Sequence, residues 1–144
     1  MTIVTHIPFG LLLSEFVTSS FTYESDDAML AFAAIGSLLP DIDHPKSALG
    51  LPLSLTGLPQ FIERRFGHRT ITHSWIFSLL VAVLSIPVIF FWGLGHYVAL
   101  NVGAFSHTLI DMVNREGVPL FWPSRYRWVI PPVKEYRIRV GTTA

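Results

Sequence analysis

The chain has 144 residues, of which 51% are hydrophobic and 14% charged, with ten basic residues balanced by ten acidic ones. That length bounds it to one domain, residues 1–144, and the shortage of charge against roughly 25% in ordinary soluble domains points to lipid as solvent. A zero net charge argues against direct nucleic-acid binding, and the absence of cysteine excludes disulfides and thiolate zinc sites, so that a metal here needs histidine and carboxylate ligands.

Taken in chain order, the apolar stretches 7–21 and 28–39 predict a helical hairpin around the polar turn of Glu24, Asp26 and Asp27. The initial residues Met1 to His6 carry no Lys or Arg, so this segment is expected to stay rather than be cleaved as a signal peptide. At 1.5 Å per residue the second stretch reaches only about 20 Å. It crosses a thinned bilayer, is shielded by longer helices, or dips in as a buried core segment. Glu15, inside the first stretch, has no partner that the sequence names. Between Arg69 and Asp111 there is no Asp, Glu, Lys or Arg. That gap predicts two membrane helices, one from about Thr72 to Trp92 with a kink at Pro87, the other from about His96 to Val113. Asn101, Gly103, Ser106 and His107 on the second are small or polar types that pack helix against helix. His96 reads as an interfacial loop residue.

All ten Lys and Arg fall in two regions, Lys46 to Arg69 and Arg115 to Arg139. Two crossings separate these regions, so helix count and the positive-inside rule agree that both are cytoplasmic. Arg64, Arg65, Arg137 and Arg139 read as topology determinants and lipid anchors. The expected fold is all-α: a polytopic membrane bundle of about four helices.

The chemistry-bearing residues then fall at one end of that bundle. His6 precedes the first helix, and LPDIDHP places Asp41, Asp43 and His44 after the second. GHRTITHS supplies His68, Arg69 and His73 before the third, and SHTLID places His107 and Asp111 near the end of the fourth. A lone aspartate after a helix is ordinarily a turn former, and His6 or His73 alone could be a helix-start residue. His107 and Asp111 differ: they sit four residues apart, on one helical face, in the least polar part of the chain, where ionisable residues are functional by default. Imidazole and carboxylate suit zinc, manganese or iron, and eight candidates exceed one zinc's needs, so one or two divalent ions are expected.

The order of His6, LPDIDHP, GHRTITHS, SHTLIDMVNREGVPLFWPS and IRVGT resembles the inner-membrane-associated metal-dependent hydrolases of the YdjM family, from His6 to about Thr142. The resemblance implies a bacterial or archaeal inner-membrane location, a metal-dependent hydrolase and, in part of the family, binding to the repressor LexA. It implies a metal set of His6, Asp41, Asp43, His44, His68, His73, His107 and Asp111, and it extends to Gly117, Trp122 and Pro123. Many relatives continue past the IRVGT segment with further apolar sequence. The expected chemistry is attack of a metal-activated water on an ester or phosphoester of a phospholipid or lipid-linked phosphate. Asp43 is the expected general base, and Arg69 the holder of anionic oxygens. The alternative is a non-catalytic, metal-stabilised membrane scaffold that recruits a cytoplasmic partner such as a LexA-type repressor.

Overall fold

The structure, a computed structural model, describes residues 3–21, 23–67 and 69–130. His68 and the basic residues Lys134, Arg137 and Arg139 lie outside the described residues. Helices α1 (Ile3–Ser20) and α2 (Asp27–Leu38) form the expected hairpin. Helix α1 starts a turn earlier than the apolar pattern predicts, so His6 lies within it and not ahead of it, and Pro8 is accommodated inside. Asp26 caps α2 by accepting from the Met29 amide at 2.7 Å. That bond is the main reason its carboxyl stays below the ordinary value, helped by His96. Glu15 does have a partner, the hydroxyl of Ser25, which donates to it.

Pro40 cannot continue α2 with a backbone donor, and a 3-10 turn (Leu39–Asp43) follows. The connecting region contains short α3 (Gly50–Leu53) and α4 (Leu58–Phe66). Helix α4 is amphipathic, with Arg64 and Arg65 exposed in its last turn and Ile62 lining a groove against α5. A further 3-10 turn (Ile71–His73) leads to α5 (Trp75–Leu84), whose first turn is capped by Ser74. Then come α6 (Ile86–Trp92) and α7 (Leu94–Met112).

Trp75–Trp92 is the segment among the described residues that is long and apolar enough to cross a membrane. It breaks at Ser85, two residues before Pro87, because the proline has no N–H to give to the preceding turn. Helix α7 is pinned to the break: Tyr97 Oη donates to the Ala82 carbonyl at 3.2 Å, and Asn101 Nδ2 donates to Ser85 Oγ at 3.0 Å. The N-terminal turn of α7 holds His96, which is helical and not in a loop, with Nε2 3.1 Å from Asp26 Oδ1.

Helices α2 and α7 pack most extensively, with α1 against both. They approach closely because Gly36 faces the Leu100 carbonyl and Gly103 faces the Ala33 carbonyl. The interior is correspondingly small or polar: Ala33, Ala99, Ser14, Thr18, Ser37, Ser106 and Thr108 are buried. Leu12 and Phe16 on α1, and Leu79, Val83, Phe90 and Phe91 on α5 and α6, are exposed. This distribution inverts that of a water-soluble core, where large apolar side chains are the most often buried.

After α7 the chain turns at Gly117, and Val118 pairs with Trp128 through two backbone hydrogen bonds of 3.0 and 2.8 Å. Gly117 has φ 61° and lies against the Trp128 carbonyl, so a side chain there would be both strained and obstructed. The Leu120 carbonyl accepts from the Trp75 amide at 2.9 Å, which fixes this loop over the start of α5.

Candidate metal centre

Five of the expected residues meet at one end of the bundle. His6 comes from α1, Asp41 from the turn after α2, His73 from the turn before α5, and His107 and Asp111 from the last turns of α7. They form two overlapping groups, His6 with His107 and Asp111, and Asp41 with His73 and His107, in each of which the ligating atoms lie within 4.8 Å of one another. His107 belongs to both.

His6 Nε2 is 3.4 Å from Asp111 Oδ1, and His73 Nε2 is 3.1 Å from Asp111 Oδ2. His107 Nε2 is 3.8 Å from Asp111 Oδ2 and 3.5 Å from Asp41 Oδ1, which is 4.0 Å from His73 Nε2. Most of these separations exceed the 2.7–3.2 Å of a good hydrogen bond. They match what an ion demands: bonds of about 2.1 Å arranged tetrahedrally separate neighbouring donors by about 3.4 Å. His107 Nε2 and both oxygens of Asp111 are buried without a hydrogen bond of good geometry, and although Arg69 Nε stands 3.3 Å from Oδ2, a divalent ion would complete the neutralisation of that carboxylate. The donor set therefore fits a divalent ion.

The second ring nitrogens are held in the way metal-binding imidazoles require. His107 Nδ1 lies 2.6 Å from the Ser37 carbonyl oxygen, which can only accept, so Nδ1 carries the proton and Nε2 presents its lone pair. His73 Nδ1 is 3.0 Å from Thr72 Oγ1. Burial pushes the His73 imidazole below its ordinary value despite Asp111 beside it, so the ring is neutral and able to ligate at neutral pH. Burial alone would raise the Asp41 carboxyl, but the imidazoles of His107, His73 and His6 hold it well below the usual range.

The other expected residues that the structure describes are Asp43, His44 and Arg69. Asp43 is buried and belongs to neither group; its Oδ2 accepts from the Arg69 amide at 2.9 Å. His44 follows the first 3-10 turn, half-buried, and also belongs to neither. Arg69 places Nε 3.3 Å from Asp111 Oδ2. It has φ 55°, a left-handed conformation costly for a residue with a Cβ, and that turn is what lets its amide reach Asp43 while its guanidinium reaches Asp111. Of the five donors Asp41 is the least enclosed, its side chain 22% exposed, with Arg69 at 15% beside the centre, so this side is the approach from solvent. Reasoning from the sequence missed the Ser37 carbonyl, since a backbone acceptor has no residue-type signature.

No solved structure matches the chain. The family described as YdjM inner membrane protein matches over residues 1–143. The chain is 44% identical to "Inner membrane protein YdjM" of Escherichia coli (strain K12) over 102 residues, 69% of this chain and 51% of that protein, and equally similar to the protein of that name from Shigella flexneri. It spans about half the length of these curated relatives. With "Uncharacterized protein YvsG" of Bacillus subtilis (strain 168) it shares 31% identity over 132 residues, 91% of this chain and 79% of that one. A match across nearly the whole chain, and a bundle whose large apolar side chains face outward, converge on one assignment: the chain belongs to the YdjM inner membrane protein family.

Proposed function

We propose that the chain is a multi-pass, membrane-bound hydrolase whose divalent ion, held by His6, Asp41, His73, His107 and Asp111, faces the cytoplasm and acts on a phosphoester. The observation that carries this reading is the convergence of three imidazoles and two carboxylates at ion-compatible spacing, with the Asp111 oxygens buried without a hydrogen bond of good geometry. Four crossings, by α1, α2, α5 with α6, and α7, would bring those residues to the side that carries every Lys and Arg. Zinc suits the donor set, as do manganese and iron.

A divalent ion in this place supplies a nucleophile at neutral pH by lowering the pKa of its water to about 7. The chain's own groups do the rest. Arg69 stands where its guanidinium can neutralise charge gathering on phosphoryl oxygens, usually the largest single catalytic contribution. This reading gives proton acceptance to Asp43, whose Oδ2 is held by the Arg69 amide, and keeps Asp41 among the ligands of the ion. Burial of His6, His73, His107 and Asp111 excludes bulk water from the other side.

Full-length protein in mild detergent, loaded with zinc or manganese, is to be incubated with phospholipids and lipid phosphates and the products read by mass spectrometry. Turnover should vanish with a chelator and return with the metal, and Asp43→Asn should lower it by about 10²-fold or more. A fully metallated protein that turns over no member of the panel defeats the hydrolase. Five donors can also fill a coordination sphere and leave no place for water. That outcome would favour the metal-stabilised scaffold that recruits a cytoplasmic partner, such as a LexA-type repressor.

A further inference from the structure

Beside the metal centre lies a cavity of about 650 Å³ that none of the chemistry above uses. Arg65, Arg125 and Arg127 line it, with Trp122, Ser124 and Thr70, and no carboxylate joins them among the described residues. Thr70 directly follows Arg69, so the cavity opens next to the residue that touches Asp111. Three guanidinium groups gathered without a counter-charge call for an anion, and phosphate matches their forked donors. Two of the three are already held. Arg65 stacks over the Phe66 ring at 5.7 Å, and Arg127 Nη1 donates to the Gly117 carbonyl at 3.2 Å. Such preorganisation lowers the entropy cost of binding.

The cavity does not stand alone. Phe66, whose ring meets Trp122 edge-on at 6.0 Å, also lines a smaller hollow of about 180 Å³ together with Ile62, Phe77 and Leu80. Those three residues also line a groove of about 530 Å³, which continues past Leu84 and Val88 between α4 and the α5–α6 span. The cationic pocket and the apolar groove are therefore neighbours, linked wall to wall by Phe66 and then by Ile62, Phe77 and Leu80, and the groove runs along the most lipid-like segment of the chain. Free phosphate would use only the first part; a peptide would leave the apolar groove with unpaired backbone groups.

We infer that this cavity and the neighbouring groove together bind one anionic phospholipid, its phosphate among Arg65, Arg125 and Arg127 and an acyl chain along Ile62, Phe77 and Leu80. The inference rests on the hydrolase reading only in taking this lipid as the phosphoester presented to the metal. Binding itself is measurable with or without metal or turnover.

The test is native mass spectrometry of the full chain in neutral detergent with dioleoyl phosphatidic acid, dioleoyl phosphatidylcholine or inorganic phosphate. Wild type should retain phosphatidic acid in clear preference to phosphatidylcholine. The double variant Arg65→Gln/Arg125→Gln, at exposed positions, should weaken it by about thirtyfold, about fivefold for each charge removed. Leu80→Trp, which fills the groove, should weaken phosphatidic acid and leave inorganic phosphate unchanged. Equal retention of both lipids, or a double variant that binds as wild type does, overturns the site. Inorganic phosphate that displaces the lipid at equal concentration, with Leu80→Trp silent, overturns the lipid and leaves a phosphate pocket. Should Leu80→Trp fail to fold, a phosphatidic acid with a photoreactive acyl chain decides on wild type alone: adducts on the peptides carrying Ile62, Phe77 or Leu80 support the site, and adducts confined to other helices refute it. Metal bound without lipid preference would sink this inference alone. Lipid preference without metal would sink only the hydrolase.

Discussion

Replacing His107 by alanine is expected to leave the purified protein with less than about a tenth of the wild-type metal content, measured by elemental analysis without chelator. Removing even an outer partner of a metal-binding histidine commonly costs about 10- to 100-fold in affinity. His107 is a donor itself and belongs to both groups, so no other single residue takes part in as much of the centre. Its ring is aimed by the Ser37 carbonyl and stacked on the His6 ring at 3.9 Å, and alanine leaves both the space and the carbonyl unfilled. Asn in place of Asp111 should act in the same direction, because it removes the charge that His6, His73 and Arg69 all face. Wild-type metal content in His107→Ala would contradict the placement.

The other large effect is expected far from any ionisable group. Gly103→Leu should destabilise the protein by about 3 kcal/mol, at the upper end of the range for overpacking, and should also empty the centre. Even a methyl group at Gly103 would overlap the Ala33 carbonyl, and one at Gly36 would overlap the Leu100 carbonyl. Both obstacles are backbone, which cannot rotate aside as a side chain can. Separating α2 from α7 draws Ser37 and Asp41 away from His107, so metal should fall together with the melting temperature in detergent. Phe105→Leu, at an exposed position on α7, is the control and should change neither by much. A Gly103→Leu protein that melts as wild type does and keeps its ion would show that the close approach of α2 and α7 does not hold the centre together.

What the sequence made legible was the part governed by composition and by helix ends. The charge-free gap located the Trp75–Trp92 segment, Pro87 its break, and Gly103 its helix-packing role. Placing the motifs at one end of the bundle brought His6, Asp41, His73, His107 and Asp111 together, since helices that alternate in direction leave little choice. Tertiary pairings were not legible. Glu15 with Ser25 and His96 with Asp26 join residues whose proximity depends on how α1, α2 and α7 rotate about their axes. The left-handed turn at Arg69, which brings its amide to Asp43 Oδ2, has no residue-type marker, because left-handed turns are ordinarily flagged by glycine or asparagine. Arg65 reads from the sequence as a lipid anchor; only the fold of residues 113–130 over α5 gathers it with Arg125 and Arg127 around one cavity.

The most direct test of the central claim, that these three histidines and two aspartates hold a divalent ion, is zinc K-edge X-ray absorption on zinc-loaded protein in detergent. The account predicts a shell of nitrogen and oxygen only, at about 2.0–2.1 Å, with the multiple-scattering signature of three imidazoles that falls to two in His6→Ala. An all-oxygen shell without imidazole scattering, or a spectrum unchanged by His6→Ala, would contradict it.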